Sequence, residues 1–199
     1  SPFVEKWLGH QVRDDYWKQG SVIEDYSAIN CAVYAVGGWT DPYTNSVPRL
    51  LNGLPGPRKG LIGPWAHTFP HEGIPGPAIG FLQECLRWWD YWLKGIKNGV
   101  MDEPMLRVWM PERIPPRSYE DKWPGRWVAE AQWPPAGINN QTYILDEGLL
   151  AETPGQKKVL TIQGAQIAGM TAGVWCPYGT SIGLPVDQRV DDGLSLCFT

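Results

Sequence analysis

Apolar residues along this chain keep two different rhythms, and the change between them divides it. Before Met101, compact apolar runs alternate with stretches of helical spacing. Ile29 to Val36 reads Ile-Asn-Cys-Ala-Val-Tyr-Ala-Val. Its lack of alternation predicts a strand buried on both faces, as in a parallel sheet. Gly37-Gly38 closes it. Asn45-Ser46 as capping residues, Pro48 early and Leu50-Leu51 predict a brief helix, broken by Gly53-Leu54-Pro55-Gly56-Pro57. Lys59-Gly60-Leu61-Ile62-Gly63 predicts a second short strand, stopped by Pro64. Strand, helix and strand with short connections make a βαβ unit.

The clearest helical pattern runs from Ala78 to Lys94. Phe81, Leu82, Cys85, Leu86, Trp89, Trp92 and Leu93 recur at helical spacing, with Gln83, Glu84, Arg87, Asp90 and Lys94 between them. Gly95 stands where a helix-ending glycine belongs, and the pattern predicts a helix packed on the sheet. Upstream, Asp14-Asp15-Tyr16-Trp17 predicts a helical turn ended by Gly20. Adjacent helical positions point about 100° apart, so Asp14 and Asp15 read as surface or capping charge rather than a shared site.

From Pro104 onward the helical period is lost, and short apolar runs alternate with Pro and Gly. These are Met105 to Met110, Arg126 to Val128, Thr142 to Leu145, Val159 to Ile162 and Leu194 to Phe198. Short strands separated by turn signals suggest an all-β sandwich, with a boundary near Met101-Asp102-Glu103. The expected organisation is therefore an α/β part over residues 1–103 and a β part over residues 104–199. The strand candidates are too few for an eight-stranded jelly roll, and both chain ends look cut, so a piece of a longer protein is expected.

Composition narrows the classes. An apolar content of 43% suits a globular core, and the net charge of −4 without a basic cluster argues against nucleic acid. The 12 tryptophans are read mostly as core residues. Cys31, Cys85, Cys176 and Cys197 form no metal-ligand spacing and are expected as buried thiols, with no metal and no cofactor implied. No apolar run approaches roughly 18 residues, so no membrane span is expected. No signal peptide is legible, which tips the expected compartment toward the cytoplasm.

Two polar residues stand just beyond the two predicted strands: Asp41 in Gly37-Gly38-Trp39-Thr40-Asp41, and His67 in Gly63-Pro64-Trp65-Ala66-His67. A serine nucleophile needs a base, and the base needs a carboxylate that fixes its tautomer. In α/β-hydrolases these residues follow sheet strands in the order Ser, Asp, His. On pattern alone, a structural His67 and an Asp41 that caps the next helix remain open. His71, in the Pro/Gly loop from Pro70 to Pro77, ranks second as the base.

These segments resemble the Asp and His motifs of the CocE/NonD serine hydrolases, a family of esterases and acylases with the X-Pro dipeptidyl peptidases as more distant members. The likeness extends to Asp15-Tyr16-Trp17, Asp90-Tyr91-Trp92-Leu93-Lys94-Gly95, Trp123 through Trp133-Pro134-Pro135, Tyr143-Ile144-Leu145 and Asp187-Gln188-Arg189-Val190-Asp191-Asp192. The resemblance implies an α/β-hydrolase domain followed by a C-terminal jelly roll. It implies Asp41 as the orienting carboxylate, His67 as general base and then acid, and Tyr43 as an aromatic at the acyl pocket. The implied substrate is a small-molecule ester, amide or peptide, and homo-oligomerisation stays open.

The family's serine lies upstream of its Asp, so it is expected outside this chain, and the isolated chain is expected to be inactive. One G-x-S-x-G match exists, Gly179-Thr180-Ser181-Ile182-Gly183. It follows Asp41 and His67 in order, lies in the predicted β part, and has no strand–elbow–helix context. The alternative from another class is a non-catalytic β-sandwich binding or assembly module.

Overall fold

The predicted βαβ unit forms and frames everything else. In the computed structural model, which describes residues 2–161, 163–173 and 187–199, the chain opens with two short helices, α1 (Phe3–Gly9) and α2 (Asp15–Lys18). The Asp14 carboxylate caps α2 by accepting from the Tyr16 N–H at 3.0 Å, which is the capping role expected of it. Two single 3₁₀ turns then lead into β1 (Val33–Gly38).

From β1 the chain passes through α3 (Ser46–Gly53) to β2 (Arg58–Gly63), which pairs with β1 in parallel. Their register runs from Val33 opposite Arg58 to Gly38 opposite Gly63, so both strands end at one level. Ala35, Val47, Leu51, Ile62 and Leu106 form the core between α3 and the sheet. Burying the valine, leucine and isoleucine side chains among them contributes roughly 1.5–3 kcal/mol each.

Helix α4 (Phe81–Lys94) begins three residues later than its pattern predicted, and Gly95 ends it in the left-handed region at φ 71°. Only Trp88 on this helix is fully buried, while Leu82, Leu86, Trp89 and Leu93 stay exposed. The predicted stripe therefore covers two faces, since Phe81, Cys85, Trp88 and Trp92 are the more enclosed positions. The expectation that most tryptophans are core is met in part: Trp65, Trp88 and Trp109 are buried and Trp92, Trp123 and Trp133 part-buried, but Trp7, Trp17, Trp39, Trp89 and Trp127 are exposed, and Trp175 lies outside the described residues.

Past residue 103 the chain departs from the predicted sandwich. Strand β3 (Leu106–Pro111) pairs in parallel with β2, and β4 (Gly125–Glu130) pairs antiparallel with β3. The runs at Met105 and Arg126 are strands, as expected, yet they extend the α/β sheet to the order β1-β2-β3-β4. A short run cannot declare its partner, because edge hydrogen bonds are the same in either sheet. Strands β5 (Ile144–Asp146) and β6 (Leu149–Ala151) form a separate hairpin, and α5 (Arg189–Gly193) follows. Val159 to Thr161 and Leu194 to Phe198 carry no strand, and Ile162 lies outside the described residues. The α/β layer is present; a jelly roll is not formed among the described residues.

A charged network pins α4 to the sheet. Lys59, only 2% exposed, donates to the Val100 carbonyl at 2.6 Å and lies 3.1 Å from a Glu103 oxygen. Arg87 also bonds Glu103, and Arg107 bonds Glu84 at 2.7 Å and the Tyr34 hydroxyl at 2.9 Å. Burial pushes the Lys59 ammonium below its ordinary value, and pushes the Tyr34 phenol up to about 12. Cys31 and Cys197 are exposed free thiols rather than buried ones; Cys85 is half-buried, and Cys176 lies outside the described residues.

Candidate active site

Parallel pairing with matched ends places the segments after β1 and β2 side by side. Trp39 N–H donates to the Gly63 carbonyl at 2.8 Å, and Thr40 N–H to the Trp65 carbonyl at 3.2 Å. The Asp41 turn is closed by its own N–H bonding Gly38 O at 3.0 Å, and by the Thr44 hydroxyl, which donates to Asp41 O at 2.8 Å and to Gly38 O. On the other side, Trp65 fills the space under the His67 turn at 1% exposure, its indole N–H bonding Pro77 O at 2.8 Å. Its ring neighbours Trp127, which packs against Trp109.

This scaffold brings Asp41 and His67 together. His67 Nδ1 lies 2.8 Å from Asp41 Oδ2, and Asp41 Oδ1 accepts from the Tyr43 N–H at 2.7 Å. The carboxylate side chain is 13% exposed and the imidazole 34%, so the pair sits at the surface of a cleft with its acid end covered. A carboxylate held this way favours the tautomer with the proton on Nδ1. The Tyr43 ring meets the His67 ring edge-on at 5.7 Å. A cleft of about 430 Å³ opens beside the pair, lined by Val36, Asp41, His67, Thr68, Phe69, Pro70 and Phe81.

His71 does not join this pair. It is stacked between Phe69 and Phe81, with Nε2 3.9 Å from Glu72. A second imidazole–carboxylate contact, His10 Nδ1 to Asp14 Oδ2 at 2.5 Å, is local to the start of α2. Asp14 caps that helix and His10 stacks on Tyr16 at 4.3 Å, so both residues are accounted for by the local fold. Ser181 and its G-x-S-x-G segment lie outside the described residues. No cluster of three or more metal-ligating side chains occurs among the described residues, and no helix there is long and apolar enough to cross a membrane.

Sequence reasoning missed Phe69, Phe81 and Thr68 as cleft residues and Trp65 as the plate beneath the His67 turn. Phe69 sits two positions from His67, a spacing that carries no signal in a loop. Phe81 was legible only as a helix-stripe residue.

A parallel α/β sheet with a paired acid and imidazole beyond two strand ends is an arrangement shared with hydrolases. Comparisons with known proteins agree. Residues 1–69 match the family model of the X-Pro dipeptidyl-peptidases (S15 family). A Bacillus cereus protein provisionally named Xaa-Pro dipeptidyl-peptidase is 28% identical over 48% of this chain and 16% of its own length. A provisionally named serine esterase of Mycobacterium bovis is 28% identical over 70% of this chain and 21% of its own length. Two solved structures of a CocE/NonD family hydrolase from Staphylococcus aureus share the fold, with TM-scores of 0.56 and 0.58 at 13% and 14% identity, over 77% of this chain and 26% of theirs. Part of this chain is thus similar in sequence to peptidases and esterases of the S15 type, and its fold to that of a CocE/NonD family hydrolase, as its motifs indicated; the chain spans a minor part of the proteins it matches.

Proposed function

We propose that this chain is part of a serine acyl hydrolase and supplies Asp41 and His67 of a Ser-His-Asp triad whose serine lies upstream of it. The observation that carries the reading is the 2.8 Å contact between His67 Nδ1 and Asp41 Oδ2 at the shared end of β1 and β2. With Nδ1 engaged by the carboxylate, Nε2 is the nitrogen that would take the serine proton. Serine Oγ would attack the carbonyl of an ester or amide, of the acyl-ester or X-Pro dipeptidyl kind. His67 would then hand the proton to the leaving alcohol or amine, and water would release the acyl group with the same base acting again. Tyr43, against the imidazole edge, is assigned to the acyl side of the substrate.

The division near residue 103 belongs to this reading. Strands β3 and β4 would be where the α/β part hands over to a β-rich part. No observation among the described residues favours the alternative of a non-catalytic binding module. The test is hydrolysis by the parent polypeptide that contains this chain, compared with its His67→Ala variant. A drop of roughly 10³-fold or more in kcat is expected; an active parent whose variant is unaffected overturns the assignment.

A further inference from the structure

The cleft beside His67 has a wall that the proposed triad does not use. Phe69, Pro70, Phe81 and Val36 line it together with Asp41, His67 and Thr68. His71 does not line the cleft itself but stacks on two residues that do. It stacks on Phe69 at 5.9 Å with 29° between the planes, and on Phe81 at 6.4 Å with 12°. Its Nδ1 is buried without a hydrogen-bond partner among the described residues, so stacking and the approach to Glu72 are what orient the ring. The loop is tied to the start of α4 by Ile79 N–H, which donates to Pro70 O at 3.0 Å. Phe69 itself is 66% exposed, an aromatic ring offered to the cleft rather than to the core.

We propose that this cleft is the leaving-group subsite and that it takes an uncharged, apolar alcohol or amine. The inference rests on His67 being the acid–base residue. A base that takes the serine proton returns it to the leaving atom, so that atom must come within hydrogen-bond reach of the imidazole. Whatever the leaving atom carries then lies against the residues that share a cleft with His67. Apart from Asp41, His67 and Thr68 those residues are aromatic or aliphatic, and among the described residues no Lys or Arg lines the cleft. An anionic group would find no Lys or Arg there among the described residues, and a cationic one would find as its carboxylate only Asp41, already bonded to His67. Tyr43 touches the His67 ring but does not line this cleft, which leaves the acyl half to a different surface. In the step served, the serine Oγ–carbon bond forms and the carbon–oxygen bond to the leaving alcohol breaks. The serine proton passes through His67 to that oxygen.

The experiment uses the parent polypeptide and two ester series. One varies the alcohol (methyl, butyl and benzyl acetate) and the other varies the acid (methyl acetate, butyrate and phenylacetate). The first alcohols differ little in intrinsic reactivity, so kcat/KM ratios report binding in the acylation transition state. Wild type is expected to favour benzyl over methyl acetate. Phe69→Ala is expected to cut that preference roughly tenfold while the ratios of the acid series keep their order. Phe81→Leu, which keeps an apolar residue at the start of α4, is expected to cut it in the same direction. Unchanged alcohol preference in both variants, or a change confined to the acid series, overturns the subsite. His67→Gln run alongside separates the failures: if it retains full hydrolysis the catalytic reading falls, whereas an inactive His67→Gln with unselective Phe variants removes the subsite alone.

Discussion

Gly38, the last residue of β1, lies so close to the backbone of Trp65 that a Cβ at position 38 would overlap the Trp65 carbonyl. The same approach sets the two backbone bonds that hang the Asp41 turn from the His67 turn, Trp39 N–H to Gly63 O and Thr40 N–H to Trp65 O. The imidazole–carboxylate contact is therefore the visible end of a backbone junction. A side chain at position 38 would push the two turns apart before it disturbed either strand.

Gly38→Ala is expected to destabilise the fold by about 1–3 kcal/mol, the usual cost of inserting a methyl where no space exists. A lowered urea midpoint checks this. In the parent polypeptide, hydrolysis should fall as well, because Asp41 and His67 separate. A variant with wild-type midpoint and rate would show that the junction tolerates a methyl.

Asp41→Asn keeps an oxygen for the Tyr43 N–H but removes the charge that selects the His67 tautomer. In the parent polypeptide kcat should drop roughly 10³–10⁴-fold with the melting temperature little changed. Retention of activity within tenfold would assign Asp41 a capping role only.

Tyr34 gives the fold an alkaline limit. Burial raises its phenol from the ordinary 10.0 to about 12, with the nearby Arg107 opposing that rise. The folded state then holds a proton that the unfolded state releases, so this contribution is fully present below pH 10.0 and is lost as pH rises through about 12. Lys59 works in the opposite sense: its folded value is lowered from 10.5, so its contribution improves as pH rises toward that value. Phenolate absorbance of wild type minus Tyr34→Phe isolates the tyrosine, and a titration at the ordinary value would refute its burial.

Lys59 and Glu103 should respond unequally to neutral replacement. Glu103→Gln leaves the buried Lys59 ammonium with the Val100 carbonyl as its main partner and is expected to cost about 1–3 kcal/mol. Lys59→Met keeps volume and leaves Glu103 bonded to Arg87, so the loss should be smaller. Urea denaturation of both variants decides the order, and a larger loss in Lys59→Met would contradict it.

Much of the site was legible because its parts are local. An unalternating run closed by Gly37-Gly38 and a short run closed by Gly63 announce strand ends, and a polar residue just past each end is placed by the chain itself. The helix over Phe81–Lys94 and its Gly95 stop were legible for the same reason. What misled was partnership. The run from Met105 to Met110 suggests a sandwich strand, yet the strand it forms extends the parallel sheet beside β2. The many tryptophans suggest core, although the size of a side chain does not reveal which face meets another layer.

By itself the sequence determined the βαβ order, the two turns and the residue types at their tips, since glycine, proline and apolar runs act within a few residues of where they stand. Only the tertiary structure decided that Gly38 and Gly63 end in register, that Trp65 fills the space beneath the His67 turn, and that Phe69 and Phe81 both stack on His71. These are contacts between segments separated along the chain. Their geometry depends on strand register and side-chain volume in three dimensions, which a linear pattern does not encode residue by residue.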